Sequence, residues 1–251
     1  MDYAVELLEQ NRAFGEVIRS GEPSTPIPTC PGWSLSHLLR HVGRGDRWAA
    51  QIIADRIDGY LDPRAVENGK PPPDPDAAIE WLHGGAQRLI DAIENVGVET
   101  PVWTFLGPRP AYWWARRRLH EATVHRADGA LALGLEYALS PELAADGIGE
   151  WLERVASEAG RNDAPIPLQD GQTVALCATD PGVGVAGQWT IRADAGRISW
   201  SHGVQDGSVL LRGGAVDLLL ALVRRVRLED TDIAVSGDAS IWQNWLGRTP
   251  F

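Results

Sequence analysis

The stretch RRLHEATVHR at residues 117–126 places a carboxylate and an imidazole four positions apart, at Glu121 and His125. In a helix, side chains at positions i and i+4 lie on the same face, about one turn apart along the axis. A first-row divalent ion accepts both of these ligand types. The spacing therefore predicts two of the three protein ligands of a metal site, with one more nitrogen required from another element.

The segment CPGWSLSHLLRHVG at residues 30–43 supplies two candidates for that nitrogen, His37 and His41. The segment is typical of a helix, and around its axis His41 lies at the edge of the apolar stripe, with His37 roughly 40° beyond it. A ligand at this edge is reachable from a cleft but not fully exposed, which favours His41. On the other helix, His120 lies about 140° from His125 and cannot face the same ion.

Each of these residues also has an interpretation without a metal. A Glu–His pair at i,i+4 is common on solvated helix faces and stabilises a helix by only a few tenths of a kcal/mol. Arg117 has the same spacing to Glu121, so a salt bridge would compete for the carboxylate. His37 reads as a solvated histidine and Cys30 as a small buried side chain, although either would close the metal site if it joined it.

The sequence resembles the mycothiol-dependent maleylpyruvate isomerase family. The similar segments span nearly the whole chain, at residues 28–33, 41–43, 116–121, 125–128, 143–152 and 217–225. The resemblance implies an α + α/β two-domain fold, with an N-terminal DinB/YfiT-like four-helix bundle and a small α+β domain of sterol-carrier-like layout. It also implies that His41, Glu121 and His125 hold a divalent metal, usually zinc, and that mycothiol is the thiol cofactor.

The chemistry that the resemblance implies is isomerisation or thiol S-transfer. Three protein ligands leave an open coordination position, as catalytic metal sites do, and the ion lowers the pKa of a thiol bound there. In this family the thiolate adds to an activated cis double bond, the adduct rotates about the resulting single bond, and elimination returns the trans isomer. A carboxylate substrate also needs a cation, and Arg225 resembles the position where the family places one, with Arg224 as the adjacent alternative.

Composition limits the partners and the compartment. The net charge of −11, from 34 acidic and 23 basic residues, argues against nucleic acid and against an anionic membrane surface. No apolar run approaches the roughly 20 residues that span a bilayer, and residues 1–6 lack a basic, signal-like start. Two widely separated cysteines exclude a disulfide scaffold. We therefore expect a cytoplasmic protein whose partners are a small-molecule substrate and a low-molecular-weight thiol.

Hydrophobic periodicity changes near residue 160. Helices are predicted at 2–19, 34–57, 76–96, 111–133 and 141–158, followed by a linker at 161–167. Strands are then predicted at 173–178, 188–193, 198–202, 208–211 and 233–236, with helices at 217–227 and 239–246. The predicted domains are thus a helical bundle at 1–160 and an α+β domain at 168–251.

Two other functions compete with the isomerase. In the first, the protein is not an enzyme, and the ion only staples the bundle while the cleft binds a ligand or partner; His37 or Cys30 would then be a fourth ligand. In the second, the site is a metal-dependent hydrolase, which needs a general base, and Asp46 and Asp128 are the nearby acids.

Overall fold

The computed structural model describes residues 1–159, 166–205 and 207–249. Its contacts divide the chain into two compact units, Met1–Tyr137 and Ala138–Phe251. The linker predicted at 161–167 falls mostly outside the described residues. None of the described helices is both long and apolar enough to cross a bilayer.

The first unit is a bundle of four helices, as predicted. They are α1 (Tyr3–Arg19), α2 (Leu35–Ala54), α3 (Pro75–Val96) and α4 (Tyr112–Leu133), and a short antiparallel hairpin of β1 (Pro101–Val102) and β2 (Arg109–Pro110) precedes α4. Helix α2 packs on α3, and α1 packs on α4. The core between them is apolar and fully buried at positions such as Phe14, Leu38 and Leu82.

The ends of these helices follow local chemistry. Ser34 precedes α2 as its N-cap, and its backbone N–H donates to Nδ1 of His37 at 3.1 Å, which completes a capping box. Asp74 caps α3 by accepting from the Ala77 N–H at 2.8 Å. Helix α4 ends at Gly134, whose φ of 64° is left-handed, as expected of a glycine at a helix C-terminus.

Two glycines let the neighbouring helices approach α2 closely. A Cβ on Gly43 would lie 2.3 Å from the Trp81 ring of α3, and a Cβ on Gly45 would lie 2.4 Å from Nη2 of Arg118 on α4. Arg118 can therefore reach across the face of α2. This contact places the two predicted metal-binding helices against each other.

The second unit contains a five-stranded mixed sheet. Its strands are β3 (Thr173–Ala178), β4 (Gln188–Asp194), β5 (Arg197–His202), β6 (Val209–Gly213) and β7 (Ala234–Gly237), in the order β5-β4-β3-β6-β7. Strands β3 and β6 are parallel and the other pairs are antiparallel. The helices of this unit are α5 (Pro141–Glu158), α6 (Ala215–Leu222) and α7 (Ala239–Arg248). The predicted order of a helical part followed by an α+β part is confirmed.

Two boundaries differ from the expectation. The expected first domain ran to residue 160 and so included α5 as a helix that leads out of the bundle, whereas α5 groups with the second unit because it packs on α6 and β5. Helix α6 ends at Leu222 rather than at residue 227. The N–H groups of Arg224 and Arg225 bond back to the carbonyls of Ala221 and Leu220, and Arg224 has a φ of 62°, which together close the helix as a Schellman motif.

Candidate metal and catalytic site

Helices α2 and α4 bring the three predicted metal ligands together. The ligand atoms of His41, Glu121 and His125 all lie within 4.8 Å of one another. Oε2 of Glu121 is 3.2 Å from Nε2 of His41 and 3.5 Å from Nε2 of His125. The His41 side chain is 41% exposed, whereas those of Glu121 and His125 are 15% and 6% exposed. The group is therefore enclosed on the His125 side and reachable on the His41 side.

The two oxygens of Glu121 have different partners. Oε1 accepts a hydrogen bond from Nη2 of Arg117, so the salt bridge considered from the sequence is present. Oε2 faces the two imidazoles, with Nη1 of Arg118 at 3.7 Å. Burial opposes ionisation, but Arg117, the two imidazoles and Arg118 hold the pKa of Glu121 well below its usual range. Arg117 thus anchors the carboxylate and leaves its second oxygen directed at the histidines.

Asp128 orients His125. Its Oδ2 lies 2.8 Å from Nδ1 of His125 and accepts from Sγ of Cys30 at 3.4 Å, while its Oδ1 accepts from Oγ1 of Thr29 at 2.5 Å. The hydrogen bond from Nδ1 to Asp128 leaves Nε2 facing Glu121, the arrangement found where a carboxylate supports a metal-binding histidine. Burial opposes protonation, but the hydrogen bonds to Asp128, Cys30 and Glu121 raise the pKa of His125 to about 10. A metal bound at Nε2 would replace the proton on that nitrogen, while the proton on Nδ1 would stay in its hydrogen bond to Asp128.

Trp33 covers both imidazoles. Its ring centroid lies 5.0 Å from that of His41 and 6.0 Å from that of His125, and it stacks on His125 at an interplanar angle of 25°. The two imidazoles meet edge to face, 4.8 Å apart. The sequence did not lead us to predict the packing of Trp33 on the imidazoles or the hydrogen bond from His125 to Asp128. The i,i+3 spacing of His125 and Asp128 is the sequence signal that could have found the latter.

A buried polar network ties α4 to α2 beneath the site. Asp46 is fully buried and accepts from Nε of Arg118 at 2.8 Å and from Nδ2 of Asn11 at 3.0 Å. Nη2 of Arg118 also donates to the carbonyl oxygen of Val42 at 3.0 Å. Burial raises the pKa of Asp46 against the opposing effect of Arg118. Asp46 is therefore a partner of Arg118 and not a general base facing the metal ligands.

The remaining predicted residues lie outside the three-ligand group. His37 accepts hydrogen bonds at the start of α2, and His120 is buried on α4. Cys30 belongs with His125 and Asp128 to a second group of ligand atoms. Arg225 lies in the second unit just after α6, where its Nη1 donates to the carbonyl oxygen of Val223 at 2.8 Å. Its role toward a carboxylate substrate stays a prediction.

Comparison with solved structures shows the fold. The crystal structure of the mycothiol-dependent maleylpyruvate isomerase matches with a TM-score of 0.62 and 15% sequence identity, covering 94% of this chain and 92% of that one. A histidine-to-alanine mutant of the same enzyme gives the same values. Comparison with curated protein sequences gave no match.

Comparison with family models covers both units. Residues 5–130 match the model described as the mycothiol maleylpyruvate isomerase N-terminal domain. Residues 142–244 match the model described as the C-terminal domain of the same family. The chain therefore belongs to the mycothiol maleylpyruvate isomerase family of enzymes.

Proposed function

We propose that this protein is a metal- and mycothiol-dependent isomerase or thiol S-transferase in which His41, Glu121 and His125 hold one divalent ion, zinc. The observation that carries the proposal is the convergence of two imidazole Nε2 atoms on one carboxylate oxygen, with one side of the group exposed. Two histidines and a glutamate are a donor set found in catalytic zinc sites, and three protein ligands leave a position open. When bound, the ion lowers the pKa of a thiol ligand and so supplies a thiolate at neutral pH.

The residues around the ligands have separate roles in this proposal. Asp128 holds the Nδ1 proton of His125 and so keeps Nε2 directed at the ion. Arg117 fixes one oxygen of Glu121 and leaves the other for the ion. Trp33 limits the access of water to the imidazole faces, while the exposed edge of His41 provides the entry for a thiol.

The surroundings of the site support an open position rather than a closed, structural one. A purely structural metal site needs a fourth protein ligand, but His37 is engaged as part of the capping box. The Cys30 thiol donates to Asp128, which bonds the Nδ1 side of His125, whereas Glu121 faces Nε2. A metal-dependent hydrolase would need a general base near the ion. The two acids considered for that role have other partners, since Asp46 is bound to Arg118 and Asp128 is bound to His125.

The partners follow from the same proposal. They are a small unsaturated carboxylate, such as the maleylpyruvate named for the similar enzyme, and a low-molecular-weight thiol. Arg225 is the residue we propose for the substrate carboxylate. A cytoplasmic location, where such a thiol is kept reduced, agrees with the fact that neither Cys30 nor Cys177 forms a disulfide.

The test is the isomerisation of maleylpyruvate by the zinc-loaded protein, with and without added mycothiol. We expect turnover only when both zinc and the thiol are present, and loss of turnover in the His41→Ala variant. The matched control is His37→Ala, which removes a histidine from the same helix and should keep activity. Turnover without the thiol, or equal rates in the two variants, would contradict the proposal.

A further inference from the structure

A cavity of about 270 Å³ lies between α2 and α3, on a face of the bundle separate from the proposed metal ligands. Its wall on α2 is formed by residues 47, 50, 51 and 54, which share one helix face, and none of His41, Glu121 and His125 lines it. Two arginines, Arg47 and Arg88, contribute to its lining. Nothing in the proposed isomerase chemistry uses this cavity.

The guanidinium of Arg47 is buried and lies against groups from α2 and α3. This residue is only 6% exposed, and its guanidinium carbon lies 4.2 Å from the centroid of the Trp81 ring, within the range of a cation–π contact. Nη1 donates to the carbonyl oxygen of Gly43 at 3.2 Å. A Cβ on Gly85 would lie 2.4 Å from the same nitrogen, so the glycine leaves room for the guanidinium in its present position. The guanidinium is therefore held by two contacts, with the Trp81 ring and with the Gly43 carbonyl oxygen.

Among the described residues no carboxylate forms a direct ion pair with Arg47, and the neighbouring Asp46 acts on its charge only from a longer distance. The Nε of Arg47 is buried and has no hydrogen-bond partner. Within the described ranges neither Arg47 nor the exposed Arg88 forms an ion pair, and the adjacent Asp46 is engaged by Arg118. Burial, and then the like charge of Arg88, lower the pKa of Arg47 to about 10. Buried charges in proteins are normally paired, so this arrangement calls for an anion.

We propose that this cavity binds a small oxyanion, a carboxylate or a phosphate, between the guanidiniums of Arg47 and Arg88. The planar fork of an arginine presents paired donors that match either group. Gln51 and Asn95 add amide groups to the lining, and the Gln51 carbonyl already accepts from the Glu67 N–H, which leaves its NH₂ as a donor. The site does not depend on the proposed isomerase function.

The acidic residues of the lining limit the size of the charge that fits. Glu67 and Asp91 line the same cavity as the two arginines. Their charges disfavour a polyanion such as a nucleic acid backbone, so we expect a small anion that contacts the guanidiniums. The class of ligand is thus a small organic acid or a phosphate ester.

Calorimetric titration of the full chain with inorganic phosphate, and separately with succinate, at constant ionic strength tests this site. We expect saturable binding of at least one of the two anions, and its identity distinguishes a phosphate site from a carboxylate site. Arg88→Gln, which changes an exposed side chain, should weaken binding about tenfold or more, because a hydrogen bond to a charged group is lost. Arg47→Met, which retains an apolar stem against Trp81, should abolish it.

Two controls exclude other anion sites. Arg12→Gln removes an exposed arginine of α1 that does not line the cavity and should leave the affinity unchanged. His125→Ala should also leave it unchanged, since the cavity contains no metal ligand. The proposal is overturned by an absence of saturable binding, by equal affinities of Arg88→Gln and the wild type, or by loss of binding in His125→Ala.

Discussion

Replacing Asp128 with asparagine should weaken zinc binding while leaving the bundle folded. Asp128 is fully buried and accepts from Nδ1 of His125 at 2.8 Å, so its negative charge supports the imidazole that we propose as a ligand. Asparagine has the same shape and keeps one carbonyl oxygen for that N–H. The hydroxyl of Thr29, now a donor at 2.5 Å, can rotate to accept from the new NH₂. The variant therefore removes mainly the charge.

The size of the effect follows from this geometry. Loss of a carboxylate that supports a metal-binding histidine typically costs about 10- to 100-fold in metal affinity, or about 1.4–2.7 kcal/mol. We expect Asp128→Asn to fall in this range because the hydrogen bond survives and only its charge assistance is lost. Asp128→Ala, which also leaves a cavity and an unpaired Nδ1–H, should lose more affinity and also destabilise the fold.

Zinc affinity is measured by competition with a fluorescent chelator, and the folding of the metal-free protein by urea unfolding. The control is Asp55→Asn, an exposed aspartate after the end of α2, which should retain the wild-type zinc affinity. Equal affinities of Asp128→Asn and the wild type would refute the orienting role. A weaker affinity that matches a loss of folded protein would refute it as well.

The other variants separate the metal site from its surroundings. His37→Ala should keep its zinc but lose about 0.3–1.5 kcal/mol of unfolding free energy, because the capping box at the start of α2 is broken; urea unfolding and elemental analysis measure the two effects. Arg225→Ala should keep zinc and thiol binding but lose roughly thirtyfold or more in kcat/KM for a carboxylate substrate, since removal of a paired cation costs about 2–5 kcal/mol. Arg224→Ala should lose less, and unchanged kinetics in both variants would refute a role for this segment.

The position of the site was accessible from the sequence because it depends on helix geometry. The i,i+4 spacing of Glu121 and His125 fixes their common face, and the helical angles separate His41 from His37. The structure accordingly brings the first three together and uses His37 at a helix end. The different partners of the two Glu121 oxygens could not be predicted from the sequence, because side-chain rotamers decide which oxygen contacts Arg117 and which faces the imidazoles.

Two features of the fold, the placement of α5 and the end of α6, were not predicted correctly from the sequence, for different physical reasons. The apolar stripe of α5 shows that one face is buried, but a stripe does not identify its partner, so the helix was assigned to the first domain instead of the unit that contains α6. The early end of α6 depends on a left-handed Arg224, a position where glycine or asparagine is usual. Since arginine gives no signal of this conformation, the apolar pattern predicted a longer helix.

The most direct test of the central claim is the metal content of the purified wild type and of His125→Ala, measured by elemental analysis after zinc loading and removal of unbound metal. We expect close to one zinc per wild-type chain and little in the variant, with wild-type content retained in His120→Ala, which removes a buried histidine of the same helix. Equal zinc content in the wild type and His125→Ala would contradict the assignment of His41, Glu121 and His125 as the metal site.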